Sequence, residues 1–249
     1  NMSRRECVML EKDRAREMTM RPHRVAYVIR MRFARQGPVI YIGHLDMMRT
    51  FERVLRRAGL PIMHSQGYNP RPAMVFALPL GVGIATEDDY VDISFNERMA
   101  PQEVLNSFNA FAPDGLKALD AFAVKEDGPG LMSCVSAATY RLEAKGIFEA
   151  VESLFKFESI VVKKRSKKGM REVDIRPMLL SFDYVRATEE HAVIVTTCAG
   201  SSRNLRPDIL LESLCAHVGY DSMDAANCQV VRVGLFTGEY PDVQSVAQC

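Results

Sequence analysis

Apolar residues in the first half of this chain switch between two spacings, every second position and every third or fourth, and the switches mark out its elements. Val25, Tyr27, Ile29, Met31 and Phe33 alternate with Ala26, Val28, Arg30 and Arg32, which predicts a strand with one apolar and one partly basic face. Gly37 and Pro38 turn the chain. From His44 to Ala58, Leu45, Met48, Phe51, Leu55 and Ala58 recur at helical spacing, and Gly59 and Pro61 end the helix. Strand segments are expected around Ile62 to Ser65 and Ala73 to Leu78, then across Tyr90 to Phe95. A helix follows from Pro101 to Ala112, with Val104, Leu105 and Phe108 inward, and Leu116 to Val124 makes a last strand.

After the turn-rich stretch Glu126-Asp127-Gly128-Pro129-Gly130 the same order recurs. Strand, helix and strand are expected over Ser136 to Ala144, Ile147 to Lys156 and Ile160 to Lys164. A basic turn leads to Glu172-Val173-Asp174-Ile175. A hairpin of Ser181 to Arg186 with Ala192 to Cys198, a helix over Pro207 to His217 and a strand over Val230 to Phe236 complete the half. The β-α-β-β-α-β order predicts an α+β protein built of tandem ferredoxin-like modules with antiparallel sheets. The modules span residues 24–126 and 131–240, the second with an added hairpin; 1–23 form an N-terminal extension and 241–249 a tail. Asn1 ahead of Met2 reads as a tag remnant and is set aside.

With 47% hydrophobic residues among 249, the chain can bury a sizeable core. The net charge of +1 is unlike that of a basic nucleic-acid tail, yet the charge is unevenly distributed. Arg24 to Arg71 holds nine arginines against Asp46 and Glu52, whereas Pro207 to Cys249 holds Arg232 against six acids. The six cysteines form no CxxC pair or other metal-ligand spacing, so no metal site and free thiols are expected. No apolar run is long enough to span a membrane and no signal-peptide core is present, which predicts a cytoplasmic protein.

Three features carry candidate chemistry. Arg49, Arg53 and Arg56 fall on one side of the predicted helix, where Arg30 and Arg32 are placed to extend a basic plate for phosphates; an ordinary solvated face has the same pattern. The loop Ser65-Gln66-Gly67-Tyr68-Asn69-Pro70-Arg71-Pro72 offers Tyr68 for stacking, Asn69 for a base edge and Arg71 for a phosphate. Lys167 and Lys168 belong to a turn with six cations in the nine residues 163–171, which also suits an edge protected against aggregation. His44 with Asp46, and His64, supply an alternative general acid–base set. Pro79-Leu80-Gly81-Val82-Gly83 is not followed by a helix and so implies no dinucleotide cofactor.

Several contiguous blocks resemble the radical-SAM-associated DUF2344 family. They are Arg30-Met31-Arg32-Phe33, Gly43-His44-Leu45-Asp46, Phe51-Glu52-Arg53, Arg56-Arg57-Ala58-Gly59-Leu60-Pro61, Ser65-Gln66-Gly67-Tyr68-Asn69-Pro70 and Leu78-Pro79-Leu80-Gly81. In the second half, Glu172-Val173-Asp174-Ile175-Arg176-Pro177 and Leu205-Arg206-Pro207-Asp208 join them. The likeness runs from about Val25 to Phe236. It departs at Arg71 and Ala73, where the family often has a histidine and a lysine, and at Arg232-Val233 in place of Arg-Thr. That family occurs alone or as the C-terminal extension of radical SAM proteins with a cobalamin-type N-terminal domain. The resemblance therefore implies a non-catalytic accessory without a cofactor of its own, partnered by a radical SAM protein and holding a macromolecular substrate. RNA, as tRNA or rRNA, fits the basic first half. Two other readings stay open: a scaffold docking the radical SAM partner through Gly67 to Pro72, and a metal-independent ribonuclease using His44 and His64.

Overall fold

In a computed structural model, which describes residues 27–124, 128–166, 169–185, 192–201 and 203–249, the first alternation forms β1 (Tyr27–Arg35). Helix α1 (His44–Arg57) follows a short 3-10 turn. Its buried residues are Met47, Phe51, Val54 and Leu55, while Leu45, expected inward, is exposed. The stripe is centred on Phe51, whose ring meets Phe33, Phe76 and Phe108 at 5.0, 5.1 and 4.9 Å, and this rotation turns Leu45 to solvent.

The two strand segments expected next shrink to isolated bridges, Ile62 to Phe95 and His64 to Pro72, and to the three-residue β2 (Met74–Phe76). Pro61, Pro70 and Pro72 supply no N–H to a ladder, which keeps the segment from pairing continuously. Strand β3 (Ala85–Phe95) starts well before the expected Tyr90. Helix α2 (Pro101–Phe111) and β4 (Leu116–Ala123) close the first half. Both helices pack on the face of β1 and β3 that carries Ile29, Met31, Phe33, Val91 and Ile93.

The second half runs through α3 (Leu131–Cys134), β5 (Ala137–Glu143), α4 (Ile147–Phe155), β6 (Val161–Ser166) and β7 (Gly169–Asp174). It continues with β8 (Leu179–Val185), β9 (Ala192–Cys198), α5 (Pro207–Val218), α6 (Ser222–Ala226), β10 (Gln229–Thr237) and β11 (Gln244–Ser245). Among the described residues, strands β6 and β7 pair only with each other. The expected extension 1–23, part of the linker at 126–130 and the turn between the hairpin segments ending at Arg186 and starting at Ala192 lie outside the described residues.

The result is a mixed α+β protein with six α-helices among the described residues and one nine-stranded, mostly antiparallel sheet. Its path is β4-β1-β3-β10-β5-β9-β8, with β2 on the far part of β3. The halves thus share a sheet instead of each closing its own. They join where Ala85 and Thr86 pair in parallel with Val231 and Arg232. Because β2 stops at Phe76 and the chain leaves the sheet, the rest of β3's edge is free for β10.

The acids at the start of β3 explain why that segment reads poorly as a strand and still forms one. Glu87 pairs with Arg141, Asp88 with Arg32, Asp89 with Arg232 and Asp92 with Arg30. The charge segregated along the sequence is thus partly recombined in space around β3.

The chain's end folds back along β10 through β11 and a last 3-10 turn. This buries Val246, whose carbonyl accepts from Arg30 Nη1, and joins Cys134 to Cys249 in a disulfide across 115 residues of sequence. Spacing alone predicted free thiols throughout; Cys198, Cys215 and Cys228 are free.

Candidate functional site

Two surfaces are built from this scaffold. The first is the outer face of α1. Arg49, Arg53, Arg56 and Arg57 are all exposed. Arg49 is tied to Asp46 at 2.8 Å, and Arg53, Arg56 and Arg57 have no carboxylate partner among the described residues. Arg30 and Arg32 do not extend the plate. Arg30 is buried in a two-pronged bond to Asp92, and Arg32 leans toward Asp88. β-strand alternation places them on the sheet face opposite the one that packs against α1.

The loop after α1 is closed at its base, where Ser65 N–H donates to the Arg71 carbonyl and Ser65 Oγ accepts from Arg71 N–H. Its tip leaves Tyr68 fully exposed, with Asn69 and Arg71 also in solvent. Lys167 and Lys168 lie outside the described residues. His44 and His64 are not brought together: His64 Nδ1 lies 3.2 Å from the Ile62 carbonyl, while His44 stacks edge-on against Phe76 and lines a small cavity beside Arg35 and Asp89. Asp46 contacts Arg49, not the imidazole.

Burial first, then the Arg35 guanidinium, lowers the His44 pKa from its ordinary 6.5. Below that value the unfolded chain binds a proton that the folded chain resists, so stability falls as pH drops from 7 through 6.5. The thermal midpoint is expected to be lower at pH 5 than at pH 7, and His44→Phe should narrow that gap; an unchanged gap would remove His44 as its source.

The second surface is a cleft of about 490 Å³ over the junction of β3 and β10. One wall is the 78–84 loop, the other the 204–208 segment at the start of α5, with Tyr140 and Arg232 between them. The loop is held by two buried arginines. Arg35 Nη2 donates to the Gly81 and Ile84 carbonyls, both at 2.7 Å, and Arg232 Nη2 donates to the Leu78 carbonyl at 2.8 Å. Arg232 also bonds Asp89, which accepts from the Tyr90 N–H as well. Burial pushes the Asp89 carboxyl above its ordinary range, against the pull of Arg232 and Arg35. The small cavity at His44 shares the Leu78 to Leu80 wall with this cleft.

Sequence reasoning missed this site. No helix follows the 79–83 loop in sequence, yet the helix start opposite it comes from the other half, at Pro207. The available signal was the pair of short blocks around Pro79 and Pro207, both of which line the cleft. Among the described residues no group of three or more His, Cys, Asp or Glu side chains is arranged to hold a metal ion, and no helix is long and apolar enough to cross a membrane.

Residues 28–207 match the family described as an uncharacterized protein conserved in bacteria, DUF2344. The chain belongs to the DUF2344 family. The DUF2344 match contains the α1 face, the exposed loop and most of the cleft, leaving out Asp208 and Arg232. No curated protein matches the chain.

Proposed function

We propose that this DUF2344 protein is a non-catalytic RNA-binding module, partnered by a radical SAM protein, that holds a tRNA or rRNA substrate on the outer face of α1. The observation that carries the reading is selective pairing. Arg30, Arg32, Arg141, Arg206 and Arg232 each meet a carboxylate, and so does Arg49 on α1, while its neighbours Arg53, Arg56 and Arg57 on that helix meet none among the described residues. Cations left free in this way attract phosphates through a salt-sensitive, sequence-independent term. The fully exposed Tyr68 ring adds a stacking surface of the kind single-stranded bases use. The radical SAM partner follows from the family resemblance alone.

In this reading the scaffold is a pair of ferredoxin-like units. The strand orders β4-β1-β3-β2 and β10-β5-β9-β8 support it, with β6 and β7 as an insertion between α4 and β8.

Fluorescence anisotropy with bulk tRNA at two salt concentrations tests the function. Arg53→Glu with Arg56→Glu should weaken binding at least tenfold and flatten the salt dependence by roughly 0.7 log units per lost contact. Equal affinity in the double variant would sink the proposal, and RNA cleavage abolished by His44→Ala would replace it with a nuclease. A scaffold reading has its own support in exposed Tyr41, Leu45 and Val82, on segments linked by the Gly83 N–H to Ile40 carbonyl bond. It predicts partner binding that hardly changes with salt.

A further inference from the structure

We propose that the cleft between the two halves binds a phosphate monoester of nucleotide size. Its volume of about 490 Å³ falls in the range of small-molecule sites. The electrostatics ask for an anion. Arg35, Arg232 and Asp89 are all buried at the junction, which leaves two guanidiniums against one carboxylate. Backbone carbonyls take up much of the remaining hydrogen-bonding capacity, but Arg232 Nε has no partner among the described residues. A buried cation without full compensation is costly, and a bound anion offsets that cost.

Two further donors converge from the second half. Helix α5 begins at this cleft without a side-chain cap; Pro207 has no N–H, so the amides from Asp208 onward and the positive dipole end are what suit a phosphate. Arg206 stands at the same point. The lone acid of the lining, Asp208, is already engaged with the Arg206 guanidinium. Tyr140 supplies a phenol hydroxyl beside Arg232. With Arg35 buried behind the lining, three arginines meet two aspartates, so a phosphate bound here shares Arg206 with Asp208 and Arg232 with Asp89 and gains the helix start, which favours it over a single carboxylate. The body of the ligand meets Leu80, Val82, Ile84 and Pro207, with the Asn204 amide available to a polar edge.

This site uses none of the α1 arginines and stands independently of the RNA reading. The same chemistry is offered by a free mononucleotide and by the 5′-phosphorylated end of an RNA. Thermal shift and calorimetry on the full chain would compare AMP, adenosine, and a trinucleotide with and without its 5′-phosphate. AMP or the phosphorylated trinucleotide should raise the midpoint in a concentration-dependent way, while the forms lacking phosphate should not; which of the two binds identifies the source. Arg206→Ala and Tyr140→Phe, both expected to fold, should weaken binding, the first by about tenfold or more. Arg53→Glu with Arg56→Glu should leave it unchanged. Absence of any shift at millimolar ligand, equal shifts with adenosine, full binding by Arg206→Ala, or loss of binding in the α1 variant would each overturn the proposal.

Discussion

Asp89→Ala is expected to destabilise the protein by about 3–5 kcal/mol, the usual cost of removing one partner of a buried ion pair. Asp89 and Arg232 are 2% and 0% exposed, so water cannot replace the lost carboxylate. Arg35 aggravates the effect, because it too is buried and drew on the Asp89 charge. The damage should spread beyond the pair. Both arginines hold carbonyls of the 78–84 loop, and β10 is the strand through which the halves join. Chemical denaturation with circular dichroism would measure the loss. Asp89→Leu with Arg232→Met removes both charges together and should regain most of it, since apolar replacement of a whole buried pair is often neutral or better. A single variant within about 1 kcal/mol of wild type would show that the junction does not depend on this pair.

Phe51→Ala should cost a similar amount, about 3–5 kcal/mol, through lost burial and the cavity left behind. The ring is fully buried and contacts three other aromatic rings, one from each of β1, β2 and α2. It anchors the middle of α1, and no other side chain of that helix makes so many ring contacts. Urea titration is the measurement, with Phe51→Leu as a milder companion expected to lose less because more of the volume is filled. A cost below about 1 kcal/mol for the alanine variant would mean that α1 does not seat on the sheet through this ring.

Much of the architecture was legible because it rests on local periodicity. The alternation at Ile29, Met31 and Phe33, the helical spacing in α1 and α2, and Pro101 and Pro207 at helix starts located elements to within a few residues. Two failures share a cause. The Thr86 to Asp89 segment looks too polar for a strand, and its pairing follows only once arginines from β1, β5 and β10 arrive opposite its acids. Arg30 looked like part of a surface plate, and only the pairing of β1 with β3 and the returning tail show that it is interior.

Sequence by itself settled the order of the longer helices and strands, the mixed α+β class and the concentration of arginine on one face of α1, because these depend on residues within one or two turns of each other; the short α3, α6 and β11 escaped it. The union of the halves into one sheet, the burial of Arg35 and Arg232, the Cys134 to Cys249 bridge and the cleft were decided by tertiary structure. Each of these depends on contacts between residues far apart in the chain, where a side chain's charge partner and exposure are set by the strand or loop that packs against it. No local spacing carries that information.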